Sequence, residues 1–98
     1  MKLVLSARAR RRLREIQTHV AADSPAAAAS LVERILDRMA GLEAHPHLGR
    51  PLPEEPGAYR EVIQGNYRIV YRVAGETVRV LTVFEGHRLL HPAELREE

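Results

Sequence analysis

Tyr59-Arg60-Glu61-Val62-Ile63-Gln64-Gly65-Asn66-Tyr67-Arg68-Ile69-Val70-Tyr71-Arg72-Val73 carries a period of two on both sides of a turn signal. Tyr59, Glu61 and Ile63 alternate with Arg60 and Val62, and Tyr67, Ile69, Tyr71 and Val73 alternate with Arg68, Val70 and Arg72. Successive side chains of a strand point to opposite faces, so the stretch reads as two strands joined at Gly65-Asn66. Ala74-Gly75-Glu76 marks a second turn, after which Thr77 to Phe84 forms a nearly continuous apolar strand. The expectation is a three-stranded antiparallel meander.

Register decides which residues share a face. If Gln64-Gly65-Asn66 is a three-residue loop, Arg60, Val62, Arg68, Val70 and Arg72 lie on one face and Tyr59, Ile63, Tyr67, Ile69, Tyr71 and Val73 on the other. A two-residue turn instead pairs Arg60 with Tyr71 and divides the arginines. The pattern favours the first register, which gathers the arginines on an open face.

Upstream, residues 44–58 contain Pro46, Gly49, Pro51, Pro53, Pro56 and Gly57, a density that suits a surface loop and no helix or central strand. Further back the apolar period becomes helical. Ala28, Leu31, Val32, Ile35, Met39 and Leu42 form one stripe, and Ala9, Leu13, Ile16 and Val20 form another. Ser24-Pro25 opens the second helix, Ser6 caps the first, which should run to about Ala22, and Lys2-Leu3-Val4-Leu5 reads as a short strand. The predicted fold is α+β, a helix hairpin packed on a small antiparallel sheet in the order β-α-α-β-β-β. Residues 1–90 make the domain. Residues 91–98 form a polar tail expected to fray, with Leu89 and Leu90 left to dock or to meet a partner.

With 98 residues, 45% of them hydrophobic, the chain can build one core but not two. No cysteine is present, which excludes disulfides, thiolate metal sites and a cysteine nucleophile. No apolar run approaches the roughly 20 residues that span a bilayer, and Met1–Leu5 is too short for a signal-peptide core, so a cytoplasmic location is expected. Net charge is only +2, yet Lys2, Arg8, Arg10, Arg11, Arg12 and Arg14 face the single acid Glu15 within residues 1–22. Such a block is either a solvated helix face or an attractor for acidic partners or nucleic acid.

Ser24-Pro25 at the second helix, Leu42 to Pro51 as L-x-x-x-P-x-x-G-R-P, then Tyr59-Arg60-Glu61-Val62 and Gly65 to Val73 together resemble toxins of the ParE/RelE superfamily, with the ParE branch the nearer. The resemblance runs from about Leu5 to Leu90. It implies a growth-arresting toxin of a type II toxin–antitoxin system, held in a hetero-oligomer by an antitoxin whose extended and helical C-terminal segment wraps it. ParE-like toxins poison DNA gyrase by protein–protein contact, whereas RelE-like relatives cleave mRNA in the ribosomal A site. A third outcome is an inert relative kept for operon regulation.

Metal-free RNA cleavage needs a base for the 2′-OH, cations for the pentacovalent phosphate and an acid for the leaving oxygen. Candidates are Arg60, Arg68 and His87, with Arg72 and Arg79 as further cations and Glu54, Glu55 and Glu85 as carboxylates. By resemblance, Arg68 matches a phosphate-binding strand arginine, and His87 falls near a C-terminal catalytic histidine of some RelE-like enzymes. The tyrosine that accompanies that histidine is absent, as is the lysine pair of another subgroup. Arg50 stands where a third subgroup has a catalytic glutamate, and an arginine cannot act as a base near neutral pH. These departures favour binding over catalysis.

Binding is then expected of Arg50, Arg60, Arg68, Arg72, Arg88, Leu89 and Leu90, with Leu13, Ile16, Val20, Leu31 and Ile35 as antitoxin contacts. No cofactor is expected. His19, His45, His47, His87 and His91 lack a ligand spacing, so no metal is expected either.

Overall fold

The computed structural model describes residues 1–96. Strand β1 (Lys2–Leu5) leads into α1 (Ala7–Ala21) and α2 (Pro25–Ala40), followed by a 3-10 turn at Gly41–Glu43. Four strands complete the sheet: β2 (Arg50–Pro51), β3 (Tyr59–Gln64), β4 (Tyr67–Ala74) and β5 (Thr77–Glu85). Serine hydroxyls cap both helices, with Ser6 Oγ accepting from the Ala9 N–H at 3.0 Å and Ser24 Oγ from the Ala27 N–H at 3.2 Å. Ser6 also donates to the Leu81 carbonyl at 2.8 Å, so the cap of α1 ties the helix to β5.

The sheet order is β1-β5-β4-β3-β2. Strands β3, β4 and β5 form the expected antiparallel meander, and β1 joins it in parallel through Leu3↔Val78 and Leu5↔Val80. The α1–α2 hairpin carries the chain from β1 to β2 at the opposite edge, and the parallel β1–β5 pairing makes the sheet mixed and places β5 between β1 and β4. That central position explains its apolar run, since Val78, Val80, Leu81, Thr82 and Val83 are all fully buried. The two-residue strand β2, in the Pro-rich loop, pairs Arg50 with Glu61 and Pro51 with Arg60.

The hairpin register corrects the expectation. Gln64 pairs with Tyr67, Ile63 with Arg68, Val62 with Ile69 and Arg60 with Tyr71, so the β3–β4 turn has two residues. Gly65 takes φ +59 at the first of them, the left-handed setting whose twist suits a tight hairpin. Arg60 and Arg68 therefore lie on opposite faces. The expectation treated Val62 as outward to keep the arginines together, but burying Val62 in the helix-side core outweighs that grouping.

That core joins Ala9, Leu13, Ile35, Met39 and Leu42 to Val62, Tyr67, Ile69, Tyr71, Val78, Val80 and Val83. The opposite face is not open. Leu52, Val70 and Phe84 form a second cluster there, covered by Tyr59, Leu90 and Leu95. The described part of the tail is not frayed: Pro92–Leu95 make a 3-10 turn, and Glu94 is buried against Arg8 and Arg12 of α1. Residues 97 and 98 of that expected tail lie outside the described residues. No described helix is long and apolar enough to cross a membrane.

Candidate functional site

On the second face of the sheet an alternating row of charges runs Arg50–Glu61–Arg68–Glu54. Glu61 sits mid-strand in β3 and is fully buried, a position a carboxylate holds only when its lone pairs are met. Its Oε1 accepts from Arg68 Nε at 2.5 Å and its Oε2 from Arg50 Nε at 2.6 Å. Cross-strand pairing of β2 with β3 brings Arg50 opposite Glu61, which is the structural reason for a strand of only two residues.

Arg68 projects from β4 with its guanidinium carbon 4.9 Å from the centroid of the Phe84 ring, its cross-strand neighbour. The Nη atoms grip Glu54 in the bidentate form: Nη1 donates to Oε2 at 2.9 Å and Nη2 to Oε1 at 2.6 Å. These bonds to Glu54, more than those to Glu61, raise the Arg68 pKa above its ordinary value against the opposing effect of burial. Arg68 in turn holds the Glu54 carboxyl below its ordinary value, again against burial.

Arg60 works elsewhere. From the helix-side face its Nη1 donates to the Gly49 carbonyl at 2.7 Å. Beside it, Tyr71 Oη accepts from the Gly49 N–H at 2.8 Å and donates to the Pro46 carbonyl at 2.8 Å. Burial raises the Tyr71 pKa. Gly49 has no room for a side chain, because a Cβ would lie 2.6 Å from Tyr71 Oη and 2.7 Å from the Glu61 carbonyl oxygen. The P-x-x-G-R-P segment is thus a loop stapled to the sheet by one phenol and one guanidinium, with its arginine delivered to Glu61.

The remaining expected site residues are scattered. Arg72, half-buried, borders a shallow cleft with Glu55, Tyr59 and Leu95. Arg88 is exposed on the rim of a groove of about 310 Å³ whose walls include Arg12, Ile16, Tyr67 and Phe84. Leu89 is 96% exposed, whereas Leu90 packs on the second cluster. The His87 side chain is 79% exposed, with Nε2 2.9 Å from the Glu85 carboxylate.

Of the expected antitoxin contacts, Leu13 and Ile35 are corrected: both are core residues with almost no surface to offer. Leu31 and Ile16 are partly buried against that core, and Val20 is half-buried. Three groups escaped the sequence reading: Glu61, the Tyr71 hydroxyl, and the clasp in which Glu94 meets Arg8 Nε at 2.9 Å and also Arg12. A carboxylate alternating with Tyr59 and Ile63, in a strand that also had to bury Val62, was the available signal for the first. Among the described residues, no three His, Cys, Asp or Glu side chains converge as metal ligands would.

Comparisons with known proteins agree with this architecture. Residues 3–90 match the family described as ParE toxin of type II toxin–antitoxin system, parDE. A Sinorhizobium fredii protein, Y4kP, a candidate toxin by its name, is 37% identical over 83 residues, spanning 83% of each chain. Among solved structures, a chain of the chromosomal ParDE system of P. aeruginosa superposes with a TM-score of 0.76 at 23% identity, over 87% of this chain and 95% of that one. A chain of the RelBE2 toxin–antitoxin complex of Mycobacterium tuberculosis gives 0.60 at 28% identity, over 86% and 95%. With a family match across nearly its whole length, the chain belongs to the ParE toxins of type II toxin–antitoxin systems.

Proposed function

We propose that this toxin arrests growth by protein–protein contact with DNA gyrase, and that a cognate antitoxin neutralises it by covering its surface in a hetero-oligomer. The observation that carries a binding rather than a cleaving role is the division of the arginines. Arg60 and Arg68, the two cations a ribonuclease reading relies on, face opposite sides of the sheet. Arg68 also spends three of its five donors on Glu61 and Glu54, so a phosphate reaches its fork only by displacing a carboxylate. Membership of the ParE family supports gyrase as the target, and the family together with the toxin–antitoxin complexes of its structural relatives supports the antitoxin.

One observation favours the second reading, a ribosome-dependent endoribonuclease. A Cβ placed on Gly86 would lie 3.5 Å from Arg68 Cγ, so His87 follows directly on a residue packed against the Arg68 stem. In that reading Arg68 binds phosphate once Glu54 leaves, and His87 moves the proton. Purified toxin assayed in parallel for inhibition of gyrase supercoiling and for cleavage of mRNA on programmed ribosomes separates the two. Inhibited gyrase with intact mRNA supports the first reading; cleavage that disappears in His87→Ala overturns it.

A further inference from the structure

Two carboxylates hold Arg68, and they differ in kind. Glu61 is buried within the sheet and is itself held by Arg50. Glu54 reaches in from residues 53–58, every one of which is exposed, and its side chain keeps 36% of its surface in solvent. Glu61 on Nε and the Phe84 ring against the guanidinium carbon set the plane of Arg68 from behind. Orientation of the outer fork, Nη1 and Nη2, therefore does not depend on Glu54. The loop has other anchors, because Leu52 is buried and its N–H donates to the Tyr59 carbonyl at 3.0 Å.

We propose that the Arg68 fork is a docking site for an acidic side chain of a protein partner, with Glu54 as an internal stand-in that the partner's carboxylate displaces. The idea deepens the partner-binding reading given above. A carboxylate suits the site because the present occupant is one, in the two-bond geometry that a planar guanidinium favours. Nucleic acid suits it less, because a phosphate chain is held by several cations together, whereas residues 51–59 beside this fork carry Glu54 and Glu55 and no basic side chain. An internal occupant lowers the apparent affinity of an external one by the fraction of time the fork is vacant. Single weak carboxylates are thus rejected, and a partner with further contacts to the sheet face is admitted.

The test uses the whole chain with 15N-labelled arginine and the peptide acetyl-Ala-Glu-Ala-amide as probe. Arg68→Lys assigns the Arg68 Nε–H signal. In Glu54→Ala that signal should shift saturably with the peptide, at an affinity at least about tenfold above wild type, while acetyl-Ala-Gln-Ala-amide moves neither protein. Glu54→Gln, which keeps the loop's side-chain volume, should show the same gain, so a local collapse in the alanine variant does not decide the outcome. Absence of saturable binding in both variants, or equal affinity in variants and wild type, overturns the proposal. Tighter binding of dimethyl phosphate than of the peptide overturns it in favour of a nucleic-acid site. Because the titration needs no toxicity and the gyrase assay needs no peptide, failure of one reading leaves the other separately measurable.

Discussion

Glu61 and Glu54 contact the same guanidinium, yet removing them should have unequal consequences. Glu61→Ala deletes a fully buried carboxylate that satisfies Arg68 Nε on one side and Arg50 on the other. Arg68 is only 7% exposed, so its Nε–H would find no water to replace the lost acceptor. Breaking a buried pair by deleting one partner costs about 3–5 kcal/mol; the lower end applies here, since Arg68 retains Glu54. Glu54→Ala breaks a pair that is open to solvent on one side, for which exposed ion pairs set a scale of about 0–1 kcal/mol. The gap of about 2 kcal/mol corresponds to more than tenfold in the folding equilibrium. Urea denaturation followed by far-ultraviolet circular dichroism measures both, with unchanged m-values as the check on two-state behaviour. Combining the substitutions should give a non-additive loss, because both act through Arg68. Losses of equal size for the two single variants would refute the distinction between a fixed and an exchangeable carboxylate, and with it the premise of the docking site.

Three further outcomes follow from the same contacts. Tyr71→Phe removes the hydroxyl that receives the Gly49 N–H and donates to Pro46, and should cost about 1–3 kcal/mol in the same denaturation assay; a loss below 0.5 kcal/mol would show that the loop is held by Arg60 alone. Glu54, held below its ordinary value of 4.5 by Arg68, stabilises the fold above that value and loses the contribution as pH falls through its lower folded value, so the stability gap between wild type and Glu54→Gln should stay flat through neutral pH and close only below 4.5, as read from thermal melts across pH. Glu94→Gln should weaken the clasp on Arg8 and Arg12 and speed hydrogen exchange at the Glu94 and Arg96 amides, which donate within the C-terminal turn, while the β4–β5 ladder keeps its protection; unchanged exchange would place the turn's stability in Leu95 instead.

Much of the fold was legible because local chemistry and global packing agree. Ser6 and Ser24-Pro25 announce helix starts that the structure places at Ala7 and Pro25, and the Leu13 and Ile35 stripes mark the faces that enter the core. The parallel docking of β1 was not legible, since four residues carry no sign of their neighbour and only the central burial of β5 from both sides demands one. Nor was the two-residue strand at Arg50–Pro51, because only its pairing with β3, across the Pro-rich loop, makes it a strand.

The register error and the missed carboxylate share one cause. A sheet with an apolar face and an open charged face would place Arg60, Arg68 and Arg72 together, and the alternation permits it. This sheet instead buries something on each side: the helices on one, Leu52, Leu90 and Leu95 on the other. With both faces covered, a charge near the middle of the sheet is shut off from water and must acquire a partner within the chain. Arg60 takes loop carbonyls, and Arg68 takes Glu61 and Glu54. Of those partners, Gly49 and Glu61 are buried and fixed, whereas Glu54 stands at the solvent boundary on a loop with independent anchors. Arg68, its plane set from within the sheet and its fork closed from outside, is thus a strand cation whose outer partner, on the docking proposal, exchanges without unmaking the core.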